Sequence, residues 1–308
     1  MSDDTQEDLL AQREAVHERE QEKTLSVGAR RAAAALAGVA NVPGVAKPDA
    51  ILVADDMSRH FGGVRAVEVE HLEIQRGTIT ALIGPNGAGK STFFNLITGF
   101  DKPDSGQWSF EGKDISGAPS YRIARQGMVR TFQLTKALTR LTSLENLMLG
   151  ATGQRGERLL TSLLRPSWAG QEAGIRSRAE ELLGRFNLTH MRDEFAGTMS
   201  GGQRKLLEMA RALMVQPAMI LLDEPMAGVN PALTQSLLGH IEALRDDGMT
   251  IVLVEHDMDV IMSISDWVVC FAQGKVIAEG RPDDIRKDAA VIDAYLGTHR
   301  SLKDGEQS

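Results

Sequence analysis

The chain has 308 residues, 42% hydrophobic and 25% charged, the balance of an ordinary globular protein. A net charge of −8 argues against a general nucleic-acid binder, which would need a basic face, so no nucleic-acid partner is expected. The single cysteine, Cys270, excludes an internal disulfide framework and a thiolate metal cluster.

Residues 1–50 differ in composition from the rest. Glu7 to Lys23 is strongly charged, Ala32 to Ala40 is alanine-rich, and Pro43 and Pro48 then break any helix. Without a continuous apolar stripe this stretch reads as a flexible or weakly helical extension. The charge-free run Ala32 to Ala46 is about 15 residues long, too short to cross a bilayer. The charged residues before it do not make a secretory signal. Any membrane role is therefore expected to pass through partner chains.

From Ile51 onward short β-type runs alternate with helical patterns. The runs are Ile51 to Val53, Thr78 to Ile83, Met219 to Leu222, Thr250 to Val254 and Trp267 to Phe271. That alternation predicts an α/β fold with a mainly parallel sheet covered by helices on both faces. Cys270, inside the last run, reads as a buried strand residue and fits a reducing compartment.

The first chemical motif is Gly84-Pro85-Asn86-Gly87-Ala88-Gly89-Lys90-Ser91-Thr92, between the apolar run Ala81 to Ile83 and the helical run Phe93 to Ile97. Strand, glycine loop and helix are the context that a phosphate-binding loop requires. The glycines let backbone N–H groups converge on phosphate oxygens, and the helix N-terminus adds partial positive charge. Lys90 supplies a full charge for the β- and γ-phosphates, Ser91 offers a hydroxyl to Mg²⁺, and Thr92 can reach a further phosphate oxygen.

Ser143 to Ala212 holds helix-type segments and no clear strand, so it is expected to be a helical insertion, with a variable segment at Arg155 to Glu172. Within it, Met199-Ser200-Gly201-Gly202-Gln203 precedes a stripe of Leu206, Met209, Ala210 and Leu213 at helical spacing. Taken alone this is a capped helix start, with Ser200 as N-cap. Downstream, Met219-Ile220-Leu221-Leu222-Asp223-Glu224 is a β run ending in two carboxylates. The bland alternative is an acidic pair opening a turn before Pro225. Beside a phosphate loop, Asp223 is instead expected to hold Mg²⁺ and Glu224 to polarise the attacking water.

With Ser200-Gly201-Gly202-Gln203 between the phosphate loop and Asp223-Glu224, the sequence resembles the ATP-binding-cassette (ABC) family over residues 51–297. The resemblance implies an ABC ATPase fold: a P-loop core, an N-terminal antiparallel β part and an inserted helical subdomain at about 143–212. Residues 1–50 precede this domain and a tail, 298–308, follows it. The resemblance also implies that the signature residues act on the nucleotide of a second cassette, so that two ATP molecules are sandwiched between paired subunits. Gln133 falls where the family's Mg²⁺-sensing glutamine stands. His256, in Val254-Glu255-His256-Asp257, matches the switch histidine that contacts the γ-phosphate. Phe61, before Gly62-Gly63, matches the aromatic that stacks on adenine, although a phenylalanine there is also an ordinary turn anchor. Asn230 stands in the interface loop where many members carry aspartate.

Further phrases, such as Val129-Arg130-Thr131-Phe132-Gln133, Ala227-Gly228-Val229-Asn230-Pro231 and the tail through Ala294-Tyr295-Leu296-Gly297, look like the cassettes of branched-chain amino-acid importers. That resemblance implies integral membrane permeases, a separate substrate-binding protein and a position on the cytoplasmic face of the membrane. Urea, short amides or lipopolysaccharide are alternative cargoes of similar cassettes. A soluble ABC ATPase acting on DNA or ribosomes fits less well. Only about 110 residues separate phosphate loop and signature, without sustained heptads, and there is one cassette.

Overall fold

The structure, a computed structural model, describes residues 25–131, 138–152 and 169–295. Its first element is α1 (Val27–Ala35), capped by Ser26, whose Oγ accepts a hydrogen bond from Ala29 N–H at 3.1 Å. Two twelve-residue strands follow, β1 (Ala50–Phe61) and β2 (Val64–Gln75), paired antiparallel as a hairpin. Next come β3 (Ile79–Ile83), α2 (Lys90–Ile97), β4 (Ser105–Phe110), β5 (Lys113–Asp114), α3 (Ser120–Arg125) and β6 (Met128–Arg130). The helical region holds α4 (Ser143–Met148), α5 (Ala169–Arg185) and α6 (Gly201–Ala212). The chain then alternates β7 (Met219–Asp223), α7 (Pro231–Asp246), β8 (Thr250–Val254), α8 (Met258–Ile264) and β9 (Trp267–Ala272). It continues with β10 (Lys275–Gly280), α9 (Pro282–Lys287) and a further helical stretch at residues 289–295.

The main sheet runs β10-β9-β3-β8-β7-β6, parallel except for the β9–β10 hairpin. A second, antiparallel sheet runs β2-β1-β4-β5. Every residue of β3, β7 and β8 is buried, as expected of central parallel strands covered on both faces. Because strand side chains alternate, each strand feeds two cores. Ile79, Ala81, Ile83, Ile220, Leu222, Ile251 and Leu253 join the helical layer of α4 to α7. Leu82, Met219, Leu221, Val252 and Val254 join the antiparallel sheet and the α2 phenylalanines, Phe93 and Phe94. Cys270 is a buried free thiol, and burial pushes its pKa up to about 12.

The structure extends one expectation and corrects another. The antiparallel β part implied by the resemblance is present, and the run Ile51 to Val53 opens a long hairpin within it. Its outer face is polar and its alternation is interrupted, so the apolar signal fades after Ala54. The extension read as flexible or weakly helical is, from residue 25 on, a capped helix and a strap packed on the main body. Gly28 lies so close to α7 that a Cβ there would fall 2.2 Å from Asp246 Oδ1. Ser26 Oγ donates to Asp246 Oδ1 (2.7 Å), Arg31 Nη2 donates to the Asp246 carbonyl (2.8 Å), and Leu36 is fully buried. Further along, Lys47 and Glu279 form a buried ion pair at 3.2 Å, with side chains 1% and 0% exposed. Trp267 Nε1 donates to the same Glu279 carboxylate. Small alanines give little periodic signal but allow close helix approach, which is why the docking escapes a search for an apolar stripe. Among the described residues no helix is long and apolar enough to cross a membrane.

Candidate active site

In the parallel register Leu82 lies beside Val254 and Val254 beside Asp223. The carboxyl ends of β3, β8 and β7 therefore finish side by side, and the loops leaving them share one edge. That edge collects the phosphate loop, His256 and the Asp223-Glu224 pair.

The phosphate loop is pinned from two sides. Gly274 N–H donates to the Ala88 carbonyl at 3.0 Å, and Gly84 N–H donates to Tyr295 Oη at 2.9 Å. Gly84 has φ +140° and Gly89 φ +105°, and a Cβ would fall 2.1 Å from the Phe271 carbonyl or 2.3 Å from that of Ala66. Both positions thus require glycine. Lys90 Nζ donates to the carbonyls of Gly84 (2.6 Å) and Pro85 (3.1 Å). Burial pulls its pKa down, with the Glu224 and Asp223 carboxylates pulling the other way. A partly desolvated cation hydrogen-bonded to two carbonyls, beside an open Gly87 and an exposed Ser91, fits a polyphosphate ligand.

Asp223 is 7% exposed, and its Oδ2 accepts from Arg130 Nη2 at 2.5 Å. Its Oδ1 carries no hydrogen bond among the described residues, which fits a hard-cation site completed by Ser91. Glu224 adopts φ +46°, a left-handed conformation costing a non-glycine residue about 1 kcal/mol, and its N–H donates to the Val254 carbonyl at 2.9 Å. This aims the residue after Asp223 away from the strand direction.

His256 is exposed at 66%, with Nδ1 3.7 Å from Glu255 Oε2. Glu255 is buried and pushed up in pKa by that burial. Its Oε1 accepts from Met226 N–H at 2.9 Å. Lys205, from α6, donates to the Pro225 and Ala227 carbonyls, so the 225–227 backbone is held by one residue from the signature helix and one beside His256. Asn230 caps α7, its side chain accepting from Leu233 N–H at 2.9 Å with Pro231 at the first helical position.

Ser200 and Gln203 close a capping box on α6, Ser200 N–H donating to Gln203 Oε1 and Gln203 N–H to Ser200 Oγ. Gly202 packs against Leu233, where a Cβ would overlap Cδ2 at 1.5 Å. Ser200 and Gly201 are exposed, and no described hydrogen bond joins residues 200–203 to residues 84–92. Phe61, at the end of β1, is 48% exposed beneath the Arg59 guanidinium, whose carbon is 4.6 Å from the ring centroid. Gln133 lies outside the described residues.

The structure therefore joins Gly84 to Thr92, Asp223, Glu224 and His256 at one edge and leaves Ser200 to Gln203 apart. Arg130, Lys205, Glu255 and Tyr295 were not singled out as site residues in the sequence. Three of them stand beside residues that were: Glu255 is one before His256, Lys205 two beyond Gln203 and Arg130 three before Gln133.

Comparison with known proteins adds the following. Residues 68–227 match the family described as ABC transporter, and residues 275–301 match the branched-chain amino acid ATP-binding cassette transporter family. The chain is 41% identical, over 82% of its length and 97% of the relative's, to a probable branched-chain amino acid transport ATP-binding protein LivG of Archaeoglobus fulgidus. It is 40% identical, over 80% and 98%, to the high-affinity branched-chain amino acid transport ATP-binding protein BraF of Pseudomonas aeruginosa. The crystal structure of the ADP conformation of MJ1267, an ATP-binding cassette of an ABC transporter, superposes with a TM-score of 0.71 at 38% identity, covering 80% of this chain and 99% of that one.

Proposed function

The chain belongs to the ABC transporter family and is an ATP-binding and hydrolysing subunit; on that premise we propose that it powers an importer of branched-chain or related amino acids as one of two facing cassettes. The observation that carries the reading is the convergence of Lys90, Asp223 and Glu224 at aligned strand ends while Ser200 and Gly201 stand exposed, apart from their own phosphate loop. An exposed signature with no hydrogen bond to its own phosphate loop among the described residues is available to a second cassette.

In this reading the backbone of Gly84 to Thr92 cradles the phosphates, and Lys90 exchanges its two carbonyl partners for phosphate oxygens. Phe61 stacks on the adenine. Ser91, Asp223 and Gln133 hold Mg²⁺, which when bound neutralises phosphate charge. Glu224 accepts the proton of the attacking water, and His256 contacts the γ-phosphate. Ser200, Gly201, Gly202 and Gln203 complete the nucleotide shell of the partner cassette. Closure is favoured by ATP because only the closed pair forms that full shell.

The cassette domain is assigned to residues 51–297 with a helical insertion at about 143–212, an extension at 1–50 and a tail at 298–308. Membrane permeases and a separate substrate-binding protein complete the assembly, and the chain sits on the cytoplasmic face of the membrane. The amino-acid cargo is supported by the branched-chain relatives and by the C-terminal match at 275–301. Uptake of labelled leucine by vesicles containing the whole complex tests it; uptake of urea, amides or lipopolysaccharide instead reassigns the cargo.

Glu224→Gln tests the chemistry. ATP binding is expected to persist, turnover to fall by about 10²–10⁴-fold, and a nucleotide-bound dimer to accumulate in light scattering. Hydrolysis at the parent rate removes Glu224 from the role of base.

A further inference from the structure

Arg130 is the last residue of β6, next to β7 in the parallel register, and its side chain is 10% exposed. Its guanidinium reaches two elements of the site at once. Nη2 donates to Asp223 Oδ2 and Nη1 donates to Asn95 Oδ1, each at 2.5 Å. The group lies 5.6 Å from the Phe94 ring centroid and 5.9 Å from that of Phe100, so apolar rings flank it. Asn95 stands four residues after Ser91 on α2, and residues so spaced share one helix face.

A buried carboxylate with two free torsions does not orient itself, and a hard cation needs its ligands fixed to a few tenths of an ångström. Engaging Oδ2 leaves Oδ1 as the oxygen without a hydrogen bond among the described residues. Tying the same guanidinium to Asn95 sets that oxygen relative to the helix face carrying Ser91. A planar fork can hold two acceptors in fixed directions, which a lysine ammonium cannot.

We infer that Arg130 is a positioning residue that bridges Asp223 to the Ser91 face of α2 and so builds the geometry of the divalent-cation site. The inference rests on the assignment of Asp223 and Ser91 to Mg²⁺.

The test measures ATP affinity of the full chain carrying Glu224→Gln, in saturating Mg²⁺ and in EDTA, with a fluorescent ATP analogue. The ratio of the two affinities reports the metal alone. Added Arg130→Met is expected to reduce that ratio by about tenfold while leaving affinity in EDTA within about twofold. Arg130→Lys, which keeps the charge and loses the fork, is expected to recover less than half of the loss on a logarithmic scale. Asn95→Ala leaves the Arg130–Asp223 pair in place and is expected to lower the ratio by a smaller factor in the same direction. It decides the matter if Arg130→Met does not fold.

A ratio unchanged or raised in Arg130→Met overturns the inference, as does full recovery by lysine, which would make Arg130 a counter-charge only. An Asn95→Ala ratio equal to the parent's overturns the bridge. A parent ratio near one shows that the metal adds nothing to ATP affinity, and the inference falls with it.

Discussion

At the residue scale, two features set behaviour that motifs do not encode. Glu224 is held at φ +46°, and a strained conformation persists only where its surroundings over-determine it. Here the Val254 carbonyl fixes its N–H, and the next turn is tied by Lys205 and Glu255. Asp266 is the second feature. Burial pushes its pKa up to about 6, against the pull of Arg245 at 3.1 Å and the Ile79 N–H. A carboxyl with a folded pKa above its unfolded value of 3.8 contributes stability that is complete below that value and lost as pH rises through about 6. Stability is thus expected to fall by about 2–3 kcal/mol across this window from this group. Asp266→Asn is expected to flatten that part of the profile, read from denaturant midpoints between pH 4 and 7. An unchanged slope would place the pKa of Asp266 at its ordinary value.

At the scale of elements, the strap of residues 25–49 behaves as part of the cassette body. α1 docks on the end of α7 where Ser26, Gly28 and Arg31 meet Asp246, Leu36 at its C-cap enters the core of the antiparallel sheet, and the strap ends at the buried Lys47–Glu279 pair, under which Trp267 donates to the same carboxylate. Leu36→Ala is expected to lower unfolding free energy by about 3 kcal/mol, with ATP binding retained in the folded protein. Urea titration beside a nucleotide-binding assay measures both. A loss below about 0.5 kcal/mol would mean that α1 adds little to the fold in solution. The antiparallel hairpin β1–β2 has a different task. It places Phe61 at an exposed tip and supplies the Ala66 carbonyl against which Gly89 closes.

At the scale of the whole molecule, the two sets of residues proposed for one reaction centre lie on separate parts of the chain. The phosphate loop and Asp223 sit on the main sheet, while Ser200 opens α6 in the helical layer. A working pocket on this plan needs two protomers facing one another. Ser200→Arg is therefore expected to lower turnover at least 100-fold through charge and bulk at the partner's nucleotide, while the isolated chain binds ATP as tightly as the parent. Equal turnover in parent and variant would show that residues 200–203 take no part in hydrolysis.

The linear sequence determined the chemistry, because a phosphate loop needs consecutive residues. Gly84 to Thr92, Ser200 to Gln203 and Asp223-Glu224 are local in the chain, so their backbone requirements are written in adjacent positions. Four of the five apolar runs likewise announced the parallel sheet, since burial on both faces leaves no polar alternation, whereas Ile51 to Val53 belongs to the antiparallel sheet. Only tertiary structure decided which side chains meet from a distance. Around the site Arg130 meets Asp223 across 93 positions and Asn95 across 35, and in the body of the fold Ser26 meets Asp246 across 220. Such pairs depend on strand order and on the direction in which each side chain leaves its strand or helix, and neither is expressed in the spacing of residues along the chain.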